Sequence, residues 1–562
     1  MSRRTFLSTA AVAARRLSNN SGQVALIFGL TCLPLVFFVG GAVDYAGASN
    51  LLTRLQKATD ATSLKLCKLT GNPTQSDVEA LAQTNMQQYM GTAPFTIASV
   101  QYTQFPRNIT LTTQANFSTS FVGIMGPQHK LMPTSAVAGC TNQLQSYEIA
   151  LVLDNTGSMA RSSGGQSKMQ ALQQASTNFI TSVFGSETMG PATKMSLVPF
   201  AASVAVNPST YRSASWVDTL GRSSTHWSFV QGGSAAAAAY SGYGIRSRID
   251  VFNYLKGTVA SWDWNGCFES LGYPLNVQDG APSPANPDSY YVPMFAPDES
   301  GDGGQYQHAD ASGTTVRTEN SYINDTSPYC APTTDETTRT GQACKYMQLT
   351  NYQTSNGYTP VGPNFSCTSR PLTRLTNSQS TLTAEVSAMQ PNGNTDIHEG
   401  LMWGWRTLSP NSVFADGASY GKEFNNKIIV LMTDGMNTWT TNSSNPTLKS
   451  YYSAYGFLQN PDGSGPNGRL KPINANPFTN AQTRAAIDAL TLEACQNARA
   501  AGVVIYTIGF SVADDPIDQA GLDLLQSCAG SSDRFYLATD GTTINTVFQK
   551  IADAIGRLRL TR

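Results

Sequence analysis

The stretch Ile149-Ala-Leu-Val-Leu-Asp-Asn-Thr-Gly-Ser-Met159 limits the fold more than any other part of the chain. It opens as an apolar run, Ile149 to Leu153, and stops at Asp154. An apolar run of this length bounded by turn residues predicts a strand buried on both faces of a parallel sheet. Asp154, Thr156 and Ser158 then sit at its C-terminal end, where open α/β sheets bind ligands. One carboxylate and two hydroxyls on alternate residues offer hard oxygens, which suit Mg2+ or Ca2+ and not zinc. A polar turn with Ser158 as a helix cap is the plainer alternative.

Two later stretches favour the metal reading. Asn392-Gly-Asn-Thr-Asp396 is a polar loop that supplies Thr395. Lys427-Ile-Ile-Val-Leu-Met-Thr-Asp-Gly435 predicts a second buried strand, ending at Asp434. Together the three segments closely resemble the von Willebrand factor A family and its metal-ion-dependent adhesion site (MIDAS). The resemblance implies direct binding of a divalent ion by Thr156 and Ser158. Asp154, Thr395 and Asp434 would complete the shell, some through water. It also implies Mg2+, Ca2+ or Mn2+ as cofactor and a doubly wound parallel sheet as fold. Thr156 stands where the family usually has Ser and offers the same oxygen.

At 562 residues the chain is too long for one simple domain. A net charge of −1 gives no basic field for nucleic acid. Among nine cysteines no CxxC pair occurs, so a thiolate zinc site is not expected. His129, His226, His308 and His398 are scattered and read as ordinary surface or core residues.

The first 22 residues carry Arg3, Arg4, Arg15 and Arg16 and no acid. An uncharged run from Val24 to Val43 follows, the length that spans a bilayer core. It is longer than a signal-peptide core, and the preceding arginines place the N-terminus in the cytoplasm. Residues 1–22 read as a basic tail and 23–43 as a single uncleaved anchor, with everything beyond Asp44 extracytoplasmic.

Leu51, Leu52, Leu55, Ala58 and Ala61 recur at helical spacing beyond the anchor. With Ser21-Gly-Gln-Val-Ala-Leu-Ile-Phe28 and Val43-Asp-Tyr45, this segment resembles the Flp (Tad) pilus-assembly TadE/TadG-like family over Gly22 to Ala61. That family's prepilin processing sites usually carry a Glu shortly after the glycine. None occurs here, so processing at Gly22 is not expected. A second helix over 75–91 and strands over Phe95–Phe105, Asn108–Phe117 and His129–Gly139 make 44–140 a small α+β, pilin-like unit. Cys67 and Cys140 bracket it, and a bridge or two free thiols are both open.

Residues 146–562 form the predicted A domain. Strands are expected at 195–200, 427–433, 502–510 and 534–538. Helices are expected after Ser158 and at 382–389, from 400, and over 481–500, 517–527 and 544–558. Between about 207 and 380 periodicity fades, and the stretch is either an elaborated insertion or partly disordered. Its aromatic residues favour folding, and Trp264 to Glu299 resembles the insertion of TadG-type proteins. Cys267, Cys330, Cys344 and Cys367 predict two bridges with three pairings open. Asp298-Glu-Ser-Gly-Asp-Gly303 opens like a calcium loop, but Ala309 stands where the bidentate Glu belongs, so a solvated acidic turn is expected. Cys495 and Cys528 lie on two predicted helices and are candidates for a bridge, which the resemblance also suits.

No nucleophile–base pair or phosphate-binding glycine loop appears. With that, the two resemblances imply a non-enzymatic Flp pilus-assembly or adhesion protein, anchored in the bacterial inner membrane, that binds an acidic side chain of a protein partner through its metal. Pilus-assembly components are the expected partners. A minor pilin is one alternative. An A-domain subunit regulating an ATPase is another, opposed by the extracytoplasmic topology.

Overall fold

The computed structural model describes residues 20–69, 73–103, 107–142, 145–185, 192–304, 306–325, 330–347, 349, 351–462, 469–470 and 479–557. The basic tail therefore lies outside the described residues, apart from its last three. The chain divides into two compact units, Met1–Leu144 and Gln145–Arg562.

In the first unit, helix α1 (Asn20–Cys67) runs through Pro34 without a break. Its apolar N-terminal half is long and apolar enough to cross a membrane, and most of its described side chains are exposed, Phe38 to 80%. Its C-terminal half packs. Leu55, Ala58 and Leu66 meet Val78, Ala82, Met86 and Met90 of helix α2 (Gln75–Met90) and Ile109, Leu111 and Ala115 of the sheet. Thr74 starts α2 through a reciprocal cap with Asp77. Strands β1 (Thr96–Thr103), β2 (Arg107–Ser118) and β3 (Leu131–Asn142) form an antiparallel meander. Cys67 is bonded to Cys140, which ties the end of α1 to β3.

Two glycines in α1 allow the end of β2 and the chain after it to lie against the helix. A Cβ on Gly47 would fall 2.4 Å from the Phe117 ring, and one on Gly40 2.5 Å from Phe121. Between them, Asp44 accepts backbone N–H groups from Ser120, Phe121 and Val122 at 2.8–2.9 Å. Gly40, Asp44 and Gly47 lie on one face, at the spacing of a helical turn.

The second unit is built on six strands: β4 (Ser146–Asp154), β5 (Lys194–Phe200), β6 (Thr373–Thr376), β7 (Asn425–Thr433), β8 (Val504–Phe510) and β9 (Phe535–Ala538). Their order across the sheet is β6-β5-β4-β7-β8-β9. β4 lies parallel between β5 and β7. β8 is parallel to β7, and β9 to β8. β6 is the exception, antiparallel to β5 with Thr373 opposite Leu197. The expected doubly wound parallel sheet is met only in part, because the sheet of this mixed α/β unit is itself mixed, with β6 antiparallel at its edge. The chain leaves β5 at Phe200 and re-enters from the same end, so no crossover helix reverses it.

Alternate residues of one strand enter two separate cores, which is why β4 reads as unbroken apolar sequence. Ile149, Leu151 and Leu153 pack with helices α3 (Lys168–Gly185), α4 (Gln379–Ser387) and, through Ile544, Phe548 and Ile551, α8 (Gly541–Arg557). Ala150 and Val152 face α5 (Ile397–Leu408), α6 (Asn480–Ala500) and α7 (Gln519–Ala529). Cys495 of α6 is bonded to Cys528 of α7.

The stretch between β5 and β6 is an elaborated insertion over its described residues. Trp216, Phe268 and Tyr291 pack against Trp403 of α5. Cys267 is bonded to Cys367 and Cys330 to Cys344, which selects one of the three pairings. Glu269 is buried between Arg248 and Arg469. β6 itself lies inside the stretch read as insertion. A further aperiodic segment follows β7 and is folded in as well over its described residues, with Trp439, Tyr452 and Tyr455 buried.

The acidic turn at 298–303 is buried in its first half, which corrects that expectation for Asp298 and Glu299, while Asp302 is exposed as expected. Asp298 and Glu299 are fully buried. Asp298 accepts N–H groups of Tyr322 and Ile323 at 2.6 and 2.7 Å and pairs with Lys345 at 2.7 Å. Those partners replace the water such a turn otherwise needs.

Candidate metal centre

The central strands deliver the site. β4 ends at Asp154 and β7 at Thr433, one residue before Asp434, and the two strands are neighbours. Asp154 is fully buried. Its Oδ1 accepts the Thr156 backbone N–H at 2.8 Å and the Thr156 hydroxyl at 2.5 Å, and its Oδ2 accepts the Thr433 hydroxyl at 2.6 Å. The Thr156 and Ser158 hydroxyls are 3.0 Å apart. Ser158 donates to Asp434 Oδ1 at 2.7 Å. Asp154, Thr156, Ser158 and Asp434 thus form one continuous chain of oxygen contacts.

Thr395 arrives on its own loop. Gly157 N–H donates to Gly393 O at 2.9 Å, Asn392 N–H to Asn155 O at 2.8 Å, and Asn155 Nδ2 to Gln390 O at 2.7 Å. Those bonds fix the loop against the exit of β4. Thr395 Oγ1 lies 3.8 Å from where a Cβ on Gly435 would stand, beside Asp434. Among the predicted set, four residues are linked directly through side chains, and Thr395 flanks them.

Three residues that the sequence does not single out, Lys168, Asp515 and Arg161, complete the electrostatics. Lys168, fully buried at the start of α3, donates to Asp434 Oδ2 at 2.8 Å and to Asp515 Oδ2 at 2.6 Å. Arg161 also pairs with Asp515. A signal for Lys168 was present: it heads the helix face that carries Met169, Leu172 and Ala175 into the core. Burial, and then the charge of Asp434, push the Asp154 carboxyl up to about 7. Two carboxylates and three hydroxyls are a donor set for a hard divalent cation. Extra positive charge here would relieve the strain between the carboxylates, so the residues fit the group. Among the described residues no cluster of three or more His, Cys, Asp or Glu side chains is arranged to hold a metal. The candidate therefore depends on hydroxyls for most of its ligands.

Residues 22–64 match the Tad family, Flp pilus-assembly TadE/G-like. Over these residues the chain is similar to that family. The resemblance drawn from Gly22 to Ala61 is borne out there. No curated protein matches the chain. Among solved structures, the chain is similar to the von Willebrand factor domain of the type V pili tip protein Mfa5 from Porphyromonas gingivalis. The identity is 12% over 75% of this chain and 98% of that one, with a TM-score of 0.33. It is similar to the pilus adhesin SpaC from Lactobacillus rhamnosus GG at 14% identity, over 83% of this chain, with a TM-score of 0.30. The chain covers 35% of SpaC's length. The PilB minor pilin from Streptococcus sanguinis is 11% identical over 82% of this chain and 78% of that one, with a TM-score of 0.30.

Proposed function

We propose that this chain, similar to the TadE/G-like family over residues 22–64, is a membrane-anchored, non-enzymatic protein of Flp pilus assembly or adhesion. Its second unit binds an acidic side chain of a protein partner through a divalent cation, Mg2+, Ca2+ or Mn2+. Asp154, Thr156, Ser158, Thr395 and Asp434 would hold that cation. The observation that carries this reading is the run of oxygen contacts from Asp154 through Thr156 and Ser158 to Asp434. When bound, the cation would supply an open Lewis-acidic position for a carboxylate. The chain's own part is to hold the oxygens. Thr433 orients Asp154, the 392–395 loop presents Thr395, and Lys168 fixes one oxygen of Asp434. Ser158 is only half-buried and Gly157 is exposed, which leaves that end approachable by a partner.

The anchor reading is supported by the exposed apolar half of α1 and the Tad match over the same residues. The arginines before it support a second unit outside the cytoplasm and anchoring in the bacterial inner membrane. A minor pilin is the second reading, favoured by a long, half-exposed helix packed on a three-stranded antiparallel sheet. Calorimetric titration of chelated full-length protein with Mg2+ tests the metal. A pull-down on intact envelopes with and without chelator tests the partner. Absence of Mg2+ binding, with the protein folded, would remove the adhesion mechanism.

A further inference from the structure

Helix α1 places a short loop of the first unit at the depth where an anchor would leave the bilayer. Val24 to Val43 rises about 30 Å at ~1.5 Å per residue, the thickness of the hydrocarbon core. Gly40 is three residues short of its end. Phe121 packs on Gly40, and a Cβ on Gly41 would meet Val122 at 3.9 Å. Asp44 fixes that position by accepting the N–H groups of Ser120, Phe121 and Val122. The loop is therefore held against the last turn of the apolar run by contacts within its own unit.

What the loop shows outward is apolar. Ile124 is 73% exposed, Met125 65%, Leu131 53% and Phe121 38%. No carboxylate lies between Asp60 and Glu148 except Asp77 and Glu79 in α2. Lys130 is exposed beside Leu131, so its stem can lie along the apolar patch while its ammonium reaches phosphate. An apolar tip with a flanking cation, level with the end of a span, matches the interfacial layer of a membrane.

We infer that the 121–131 loop is a second membrane contact, with Phe121, Ile124, Met125 and Leu131 seated in the phospholipid headgroup layer and Lys130 among the phosphates. The inference rests on the anchor reading above. Its consequence is that the first unit is held upright at the surface at two points, with α1 unable to swivel freely.

The test uses the full chain reconstituted in phosphatidylethanolamine–phosphatidylglycerol vesicles. In a Cys32→Ser background an environment-sensitive fluorophore is placed at Ile124→Cys, Phe38→Cys or Tyr358→Cys, the last being an exposed position of the second unit. Lipids carrying a spin-label quencher near the headgroup or deep in the chain report depth. The expected result is loss of emission at Ile124 with the shallow quencher, loss at Phe38 with the deep one, and none at Tyr358. Quenching at Phe38 without quenching at Ile124 overturns the inference and leaves the anchor standing. No quenching at either overturns both. A blue-shifted Ile124 probe untouched by lipid quenchers means that protein covers the loop, and also overturns it.

Discussion

Lys168 Nζ lies 2.8 Å from Asp434 Oδ2, and neither side chain is exposed. A buried ammonium facing a buried carboxylate stabilises only as a pair, because either alone keeps its desolvation cost. Lys168→Met should destabilise the metal-free protein by about 3–5 kcal/mol. Mg2+ should restore part of that loss by taking over the neutralising role. Urea unfolding in chelator and in Mg2+ checks both parts. Equal losses under the two conditions would mean that the cation does not share Asp434 with Lys168.

Asp154→Ala should abolish Mg2+-dependent partner binding while the sheet stays folded. The Thr156 and Thr433 hydroxyls would lose their shared acceptor, a cost of about 1–3 kcal/mol, partly offset by relief of Asp434. Titration calorimetry and circular dichroism separate lost binding from lost fold. Unchanged binding would show that Asp154 does not take part.

The Asp154 carboxyl is pushed up to about 7 by burial and by Asp434. A folded-state value above the ordinary carboxylate value means that the folded protein holds a proton the unfolded chain gives up. Stability from this group is full below about pH 4 and is lost as pH rises through about 7. Ligation needs the ionised form. Apparent Mg2+ affinity should therefore climb to about pH 7 and then level off, with proton release in the buffer-dependent calorimetric heat. A flat affinity from pH 5 to 8 would refute this coupling.

Cys495→Ser should lower stability by about 2–5 kcal/mol, because the Cys495–Cys528 bond joins two helices on one face of the sheet. Thermal unfolding of oxidised protein with and without the substitution measures it. An unchanged melting temperature would show that the bridge adds nothing.

What was legible in the sequence had local causes. β4 and β7 are buried on both faces, so each is continuous apolar sequence that ends where the sheet ends. Asp154 and Asp434 mark those ends. β6 was not legible, because its four residues, Thr373–Thr376, form a half-buried edge and carry no apolar run. Lys168 was not legible as a partner because its acceptors lie far along the chain, at Asp434 and Asp515. The same holds for Glu269, whose burial depends on Arg248 and on Arg469, 200 residues later. Asp298 and Glu299 read as solvated until Lys345 and the backbone of Tyr322 and Ile323 are placed beside the first, and the Glu319 N–H beside the second.

The aromatic packing on α5 bears on how the second unit can be cut down. Trp216, Phe268 and Tyr291 belong to the insertion, yet they cover Trp403 on the central helix. Trimming the chain to its strands and main helices would lay bare a wide apolar surface, and such surfaces drive self-association. A soluble miniature of this unit must keep the long excursion between Phe200 and Thr373 or replace its rings with polar side chains.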